Sequence, residues 1–479
     1  MTATTTPVNE ALDTAVIQAS GPETYDVISP ATERVVKTYP LPNVEDAHTA
    51  VAAARKAFDH SGWPRLSMAE RAEVLERFCQ AYEARAEEFG AAWTEESGPT
   101  VSHTRLLDSF VPGIWRYTLA LGGAIELDEV RELPDGRVRV LREPTGVAVI
   151  ITTWNGPSLY LVTKVIPALL AGCTVVMKPA VESQITSRVI AQMASDAGLP
   201  EGVLTVVPGG VEVSQALVSH PDVDKVSLTG SVGAGRAVME SCAANITDVT
   251  LELGGKSPAL VVGDFPLGKL LEAIVPGFLP FQGQVCVALS RVLVPRERQE
   301  EVIAGLAEAF GQWTIGSPLS ETSMLGPLGT AMQYQKVTNY IRVAHEQGAR
   351  LVAGGGRPAG LDEGFYVEPT IFADVTPEMD IAREEIFGPV LAVMPYDDLD
   401  EAIEIANGTD YGLSAAVFAS DPAVAENLAL RIDSGTVAIN SAGISFFAPF
   451  GGTRKSGLGR ENGIEGIEEF LRYKAIKLG

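Results

Sequence analysis

Five short apolar runs, Val147-Ala-Val-Ile-Ile151, Thr174-Val-Val-Met177, Leu204-Thr-Val-Val207, Lys225-Val-Ser-Leu228 and Thr250-Leu-Glu-Leu253, begin 27, 30, 21 and 25 residues apart. Runs this short with little apolar/polar alternation are expected where a strand is covered on both faces. The stretches between them are helix-like and end at Gly or Pro, as Leu159 to Leu170 does before Gly172. That spacing leaves room for one crossover helix per strand. The segment therefore reads as β-α-β units building a doubly wound parallel sheet of the Rossmann-like, dinucleotide-binding type. After Gly254-Gly255 a second set begins: Ala259-Leu-Val-Val262, Arg291-Val-Leu-Val294, Val390-Leu-Ala-Val-Met394, Ala415-Ala-Val-Phe418 and Thr436-Val-Ala-Ile439. This marks a second α/β domain, and the Gly pair is expected to let the chain turn sharply between the two sheets.

Around this core, Val44 to Phe58 and Met68 to Phe89 carry apolar residues at helical spacing,. Residues 1 to about 22 are polar, small and aperiodic, the profile of a loose arm,. Arg131 to Arg142 and Phe470 to Lys477 alternate apolar and polar residues like strands at a solvent edge,. Such edges are a liability unless another chain covers them.

Composition removes whole classes of function. Of 479 residues, 36 are Lys or Arg and 61 Asp or Glu, a net charge of −25 that disfavours nucleic acid and anionic membrane as partners,. No apolar run is long enough to span a bilayer, and the start has neither the basic n-region of a signal peptide nor an Arg-rich transit peptide,. Four cysteines (Cys79, Cys173, Cys242, Cys286) without a C-x-x-C support neither a disulfide framework nor a metal site,. The expectation is a cytoplasmic protein without metal.

Three groups carry candidate chemistry. Cys286 follows Gln282-Gly-Gln284, a polar, Gly-containing approach that suggests backbone beside a cavity, whereas the other cysteines sit in core-like apolar patterns,. Glu252 lies 34 positions upstream between Leu251 and Leu253, where a buried strand carboxylate is costly unless it serves a site or finds a partner,. Asn155, in Thr152-Thr-Trp-Asn-Gly-Pro157 after the first strand, offers a side-chain amide to an oxyanion, although Asn-Gly-Pro is also good turn chemistry,. No G-x-G-x-x-G follows the first strand. Instead Thr229-Gly-Ser-Val-Gly-Ala-Gly235 ends a strand and opens a helix, where free N–H groups can hold a pyrophosphate,.

The order Trp154-Asn155, Lys178-Pro179, Thr229-Gly230-Ser231, Glu252, Cys286, Glu385-Ile-Phe-Gly-Pro389 and Pro449-Phe-Gly-Gly452 resembles the NAD(P)-dependent aldehyde dehydrogenase superfamily over nearly the whole chain. The resemblance implies that Cys286 is the nucleophile, that Glu252 activates the water that hydrolyses a thioester, and that Asn155 binds the oxyanion. It places Lys164 and Glu461 in proton movement from the deep site. For the cofactor it implies Thr153, Trp154, Lys178, Glu182, Thr229, Gly230, Ser231, Gly235, Leu253, Glu385 and Phe387. For the substrate pocket it implies Gly156, Tyr160, Thr163, Val285, Val287, Ile444 and Phe450, a mostly apolar lining without Arg or Lys. An uncharged aromatic, terpenoid or medium-chain aldehyde is the expected substrate. The implied domains are 23–122 with 145–252 for the cofactor, 253–455 for catalysis, and an oligomerisation flap of 123–144 and 456–479 in a homodimer or homotetramer.

Three positions depart from the family pattern. Val181 stands where NAD-preferring relatives often carry Glu three residues after the lysine; Glu182 beside it, with no Arg nearby, favours NAD and leaves NADP open. Thr153 stands where many relatives have Pro, and Phe281 where Asn is common. The alternatives are a cofactor-independent thiol esterase or acyl transferase using Cys286 and Glu252, and a non-catalytic binding protein on the same fold. A Cys-His hydrolase is disfavoured because His48, His60, His103, His220 and His345 lie in no motif.

Overall fold

A computed structural model of the chain describes residues 16–479. The first sheet runs in the order Gly457–Leu458, Asp248–Glu252, Lys225–Thr229, Val147–Ile151, Thr174–Lys178, Leu204–Val206, with every pair parallel except the one made by the Gly457–Leu458 edge. Alternate side chains feed opposite cores: Ala148 and Ile150 enter one apolar cluster, Val147, Val149 and Ile151 the other. This two-sided burial explains why these strands read as short apolar runs. The sheet grows outward in both directions from Val147–Ile151, so the strand order reverses beside it, where open α/β sheets place their ligands.

The second sheet has seven strands in the order Arg350–Ala353, Thr370–Ala373, Val390–Tyr396, Arg291–Pro295, Pro258–Val261, Ser414–Phe418, Thr436–Ile439, parallel apart from the first. It too divides its residues between two clusters, with Leu260 and Leu293 on one face and Ala259, Val261, Val292 and Val294 on the other.

Helices Val44–His60 and Met68–Ser97 open with capping boxes, Asn43 with Asp46 and Ser67 with Glu70, and the second runs on to Gly98 in a left-handed conformation,. A third helix, Val101–Leu121, escaped the sequence pattern; it packs against Met68–Ser97.

Several expectations need correction. The loose arm falls on residues 1–15, outside the described residues, and on 16–22; yet Val16 is buried and bridges Val206, with Ile17 N donating to the Val206 carbonyl (3.1 Å). This segment extends the outer edge of the first sheet. Arg131 to Arg142 is not one strand but parts of two, Asp128–Leu133 and Gly136–Pro144, and Leu471–Lys477 completes a three-stranded antiparallel sheet with them. Residues 456–470 leave that flap: Gly457 pairs with Glu252 and Leu458 with Leu251. Only glycine approaches so closely, since a Cβ on Gly457 would lie 2.1 Å from the Leu251 carbonyl oxygen. Gly254 and Gly255 also serve closeness, as neither has a positive φ. A Cβ on Gly254 would meet Glu385 Oε2 at 2.6 Å, and one on Gly255 would meet the Cys286 carbonyl at 2.4 Å.

Candidate active site

The carboxyl ends of the first sheet face the loops that enter the second. Thr153, Trp154 and Asn155 follow one strand and Thr229, Gly230 and Ser231 end another, while Cys286 precedes Arg291–Pro295 and Glu385 with Phe387 precede Val390–Tyr396. All of these, with Tyr160, Leu253, Gly254, Gln333 and Lys336, line one cavity of 190 Å³.

Three successive residues before Cys286 take left-handed backbone angles: Phe281 (φ 50°), Gln282 (φ 57°) and Gly283 (φ 67°). For a bulky residue such as Phe281 this costs about 1–3 kcal/mol and needs surroundings that enforce it. The enforcement is visible. The Phe281 ring is packed edge-on by Trp93 and Trp154 and tilted against His103, all with centroids within 5.9 Å. Gln282 Nε2 donates to the Gly326 carbonyl, Gln284 Nε2 to the Phe281 carbonyl (3.0 Å), and Gly329 N to Gln284 Oε1 (2.9 Å). Asparagine, which the family resemblance would place here, tolerates this conformation by itself; this chain holds Phe281 in an aromatic cage instead. Cys286 at its end keeps partial access to the cavity, yet burial foremost, then Glu252, Glu385 and Glu461, pushes its thiol up to about 12.

Asn155 is held on both sides. Its Nδ2 donates to the Gln284 carbonyl (3.0 Å), tying it to the Cys286 loop. Its Oδ1 faces Thr153 Oγ1 (2.6 Å) and Tyr160 OH (2.7 Å), which are 2.8 Å from one another. An amide nitrogen carries two protons, so one remains for a ligand.

Glu252 is buried, and neither carboxylate oxygen has a hydrogen-bond partner among the described residues. Burial first, then Glu461, raises its pKa well above the usual carboxylate range, against the pull of Lys164 and Arg460. Lys164 is buried and ion-paired to Glu461, and its Nζ donates to Ser227 Oγ (3.0 Å). It sits in a π-turn, Leu161–Val165, just before Pro167. Proline would clash with the carbonyl four residues earlier in an ordinary helix, and widening that turn accommodates the ring.

A family model described as the aldehyde dehydrogenase family matches residues 16–476. The chain belongs to the aldehyde dehydrogenase family. It is 42% identical over 468 residues to a 3-succinoylsemialdehyde-pyridine dehydrogenase of Pseudomonas sp (97% of each chain), and 41% identical over 455 residues to a geranial dehydrogenase of Castellaniella defragrans (95% of each). Its fold matches the crystal structure of a cysteine-to-alanine mutant of an aldehyde dehydrogenase from Pseudomonas syringae complexed with NAD+ and octanal, at TM-score 0.91 and 41% identity, covering 96% of this chain and 94% of that one. As an aldehyde dehydrogenase it is an NAD(P)-dependent enzyme that oxidises an aldehyde to a carboxylic acid through a cysteine-bound thiohemiacetal.

The residues of this aldehyde dehydrogenase fit a dinucleotide. Thr229 Oγ1 is buried without a partner, and Lys178 Nζ donates no hydrogen bond among the described residues, its pKa lowered to about 8 by burial. Gly235 brings helix Val232–Ala243 onto Leu253, where a Cβ would intrude to 2.7 Å. Ser231 caps that helix by accepting from Ala234 N (3.1 Å). Glu385 accepts from Gly255 N (3.0 Å), and Phe387 meets Trp154 edge-on at 5.9 Å. Glu182 lines a separate 240 Å³ cavity with Tyr25 and Glu96, and its charge reaches Lys178.

Of the seven expected substrate-pocket residues only Tyr160 lines the cavity at Cys286. Val285 and Val287 flank Cys286 and are partly exposed, Gly156, Thr163 and Phe450 are buried, and Ile444 is half-exposed; Phe450 exchanges backbone hydrogen bonds with Glu461 (2.7 Å each). Sequence reasoning missed Gln333, Lys336 and Trp93. Gln333 Nε2 donates to the Ile386 and Phe387 carbonyls (2.8 and 2.7 Å), and Trp93 Nε1 to the Trp154 carbonyl (2.9 Å). The i, i+3 pair Gln333 and Lys336 shares a helix face, the one signal that could have drawn attention to it.

Proposed function

We propose that this enzyme oxidises an uncharged aromatic, terpenoid or medium-chain aldehyde with NAD. The observation that carries the site assignment is Glu252, a buried carboxylate with no hydrogen-bond partner among the described residues, whose charge reaches Cys286. At rest the Cys286 thiol is protonated. As Sγ adds to the aldehyde carbon the thiol proton leaves toward Glu252, whose raised pKa makes it a competent acceptor,. The Asn155 amide and the Cys286 backbone N–H receive the developing oxyanion. A bound nicotinamide supplies the two-electron acceptor. The proton on Glu252 passes to solvent before hydrolysis; Glu252, ionised again, then deprotonates the water that attacks the thioester on Cys286, the C–S bond breaks to release the acid, and the departing sulfur takes the proton from Glu252. The Lys164–Glu461 pair sets the field at Glu252.

The substrate class rests on relatives named for geranial and 3-succinoylsemialdehyde-pyridine or solved with octanal, and on the expected pocket residues, none of which is Arg or Lys, against Lys336, a cation on the cavity at Cys286. NAD is favoured by that same NAD+ complex. The flap, which carries exposed Val130, Leu133, Tyr473 and Ile476, supports a homodimer or homotetramer. The test is cofactor reduction with a panel of aldehydes, using wild type and Cys286→Ala. Turnover of neutral aldehydes that vanishes in Cys286→Ala is the expected outcome. A higher kcat/KM for semialdehydes bearing a carboxylate or ammonium group would overturn the substrate class.

A further inference from the structure

We propose that Thr153 and Tyr160 are positioning residues that clamp the Asn155 amide, so that its free N–H is presented to the oxyanion. The inference rests on the reading of Asn155 as the oxyanion donor. It reassigns Thr153 and Tyr160 from cofactor and substrate contacts to the catalytic geometry itself.

The first step is which end of the amide points where. The Gln284 carbonyl can only accept, so the amide atom 3.0 Å from it is the nitrogen,. The opposite end, Oδ1, has no proton and faces the two hydroxyls at 2.6 and 2.7 Å. The three oxygens form a closed triangle, its third edge the 2.8 Å contact between Thr153 and Tyr160. Two protons serve three edges. Both hydroxyls donate to Oδ1, or one donates to the other, which passes the bond on; in each case Oδ1 keeps at least one donor.

Two consequences follow for the nitrogen. Its plane is fixed at both ends, by Gln284 on one side and the hydroxyls on the other, so rotation about the terminal side-chain bond is blocked. Donation into Oδ1 also draws electron density from the amide nitrogen, which strengthens the remaining N–H as a donor. Thr153 and Tyr160 line the same cavity as Asn155 and Cys286, and the Tyr160 hydroxyl is raised in pKa by burial first and then by Cys286, so it stays protonated and able to donate. A proline, which the family resemblance would place at position 153, has no hydroxyl to give, so the triangle depends on Thr153 being present with Tyr160.

The redundancy dictates the experiment. Thr153→Val and Tyr160→Phe each remove a hydroxyl while keeping shape, and each leaves one donor. Each alone is expected to lower kcat about twofold to fivefold, whereas the double variant should lose about fiftyfold or more, approaching Asn155→Ala, since loss of an oxyanion donor costs about a hundredfold to a thousandfold. The KM for NAD should stay unchanged, and Thr153→Ser should restore kcat in the Tyr160→Phe background. Adding both changes to Asn155→Ala should cost less than about twofold, because nothing is left to position. A double variant that keeps kcat within about threefold of wild type, or that loses as much in the Asn155→Ala background as outside it, overturns the clamp. If the double variant does not fold, the comparison of Val with Ser at 153 in the Tyr160→Phe background decides, equal kcat refuting the proposal. Wild-type protein that reduces no cofactor with any aldehyde would instead remove the functional reading on which the clamp stands.

Discussion

Replacing Gly283 with alanine isolates the cost of the turn that delivers Cys286. A Cβ there would lie 2.7 Å from the Gly388 carbonyl oxygen and 3.0 Å from its carbon, both backbone atoms that cannot swing away. The residue also has φ 67°, which costs an alanine about 1–2 kcal/mol,. Overlap forced into a packed site adds about 1–3 kcal/mol. The sum, about 2–5 kcal/mol, is relieved only by moving the Cys286 loop or the Glu385–Pro389 turn. Gln284, next in sequence, accepts from the Asn155 amide, so movement of the Cys286 loop also displaces the amide proposed as the oxyanion donor. Because misplacement by about 1 Å costs on the order of a hundredfold in rate, kcat should fall about tenfold to a hundredfold. The assay pairs thermal unfolding with cofactor reduction by near-ultraviolet absorbance. Gly311→Ala, where a Cβ meets nothing within 4 Å, serves as the control and should stay within about 0.5 kcal/mol of wild type,. A Gly283→Ala enzyme with wild-type melting and kcat would show that neither the left-handed turn nor its approach to Gly388 matters.

Glu252→Gln should slow the first equivalent of reduced cofactor, because the thiol loses its proton acceptor, and lower steady turnover by about a hundredfold or more, both read by stopped-flow absorbance; undiminished turnover would remove Glu252 as the base. Because burial and Glu461 raise the Glu252 pKa, its basic form is gained as pH rises, so wild-type kcat should climb with pH above the usual carboxylate range. In Glu461→Gln the second of those causes is gone, and the climb should move to lower pH; a shift to higher pH would contradict the coupling. Val181→Glu should raise the kcat/KM ratio of NAD over NADP by supplying a carboxylate for the ribose diol, and an unchanged ratio would place the discrimination elsewhere.

Both sheets were legible in the sequence because burial on two faces writes strands as short apolar runs, and the spacing of the runs implies the crossovers. Boundaries shifted by only a few residues, as at Asp248–Glu252. The edges were less legible. Strands Arg350–Ala353 and Gly457–Leu458 are short and exposed or intermediate in burial, and so leave little apolar pattern. In the site, Cys286, Asn155 and Glu385 are brought into one cavity as their motifs suggested. Trp93 could not be read as part of it, since its hydrogen bond to Trp154 bridges 61 positions and its apolar neighbours give it the look of an ordinary core residue. Phe281 looked like a plain departure from pattern; only the rings around it explain how it holds a conformation that asparagine adopts unaided.

The closure of the first sheet by Gly457–Leu458 has a bearing on how the enzyme comes into being. Chains emerge from the ribosome amino end first, and early domains ordinarily fold before later ones arrive. Here the strand that carries Glu252 must wait for its outer neighbour until the whole second domain has been made. Ser456, which bonds the Gly254 carbonyl from 202 positions away, seals the same junction. The Glu252 carboxylate is therefore among the last features to be enclosed, and a nascent chain halted before this segment would hold its cysteine and its parallel sheet with that carboxylate still open to water.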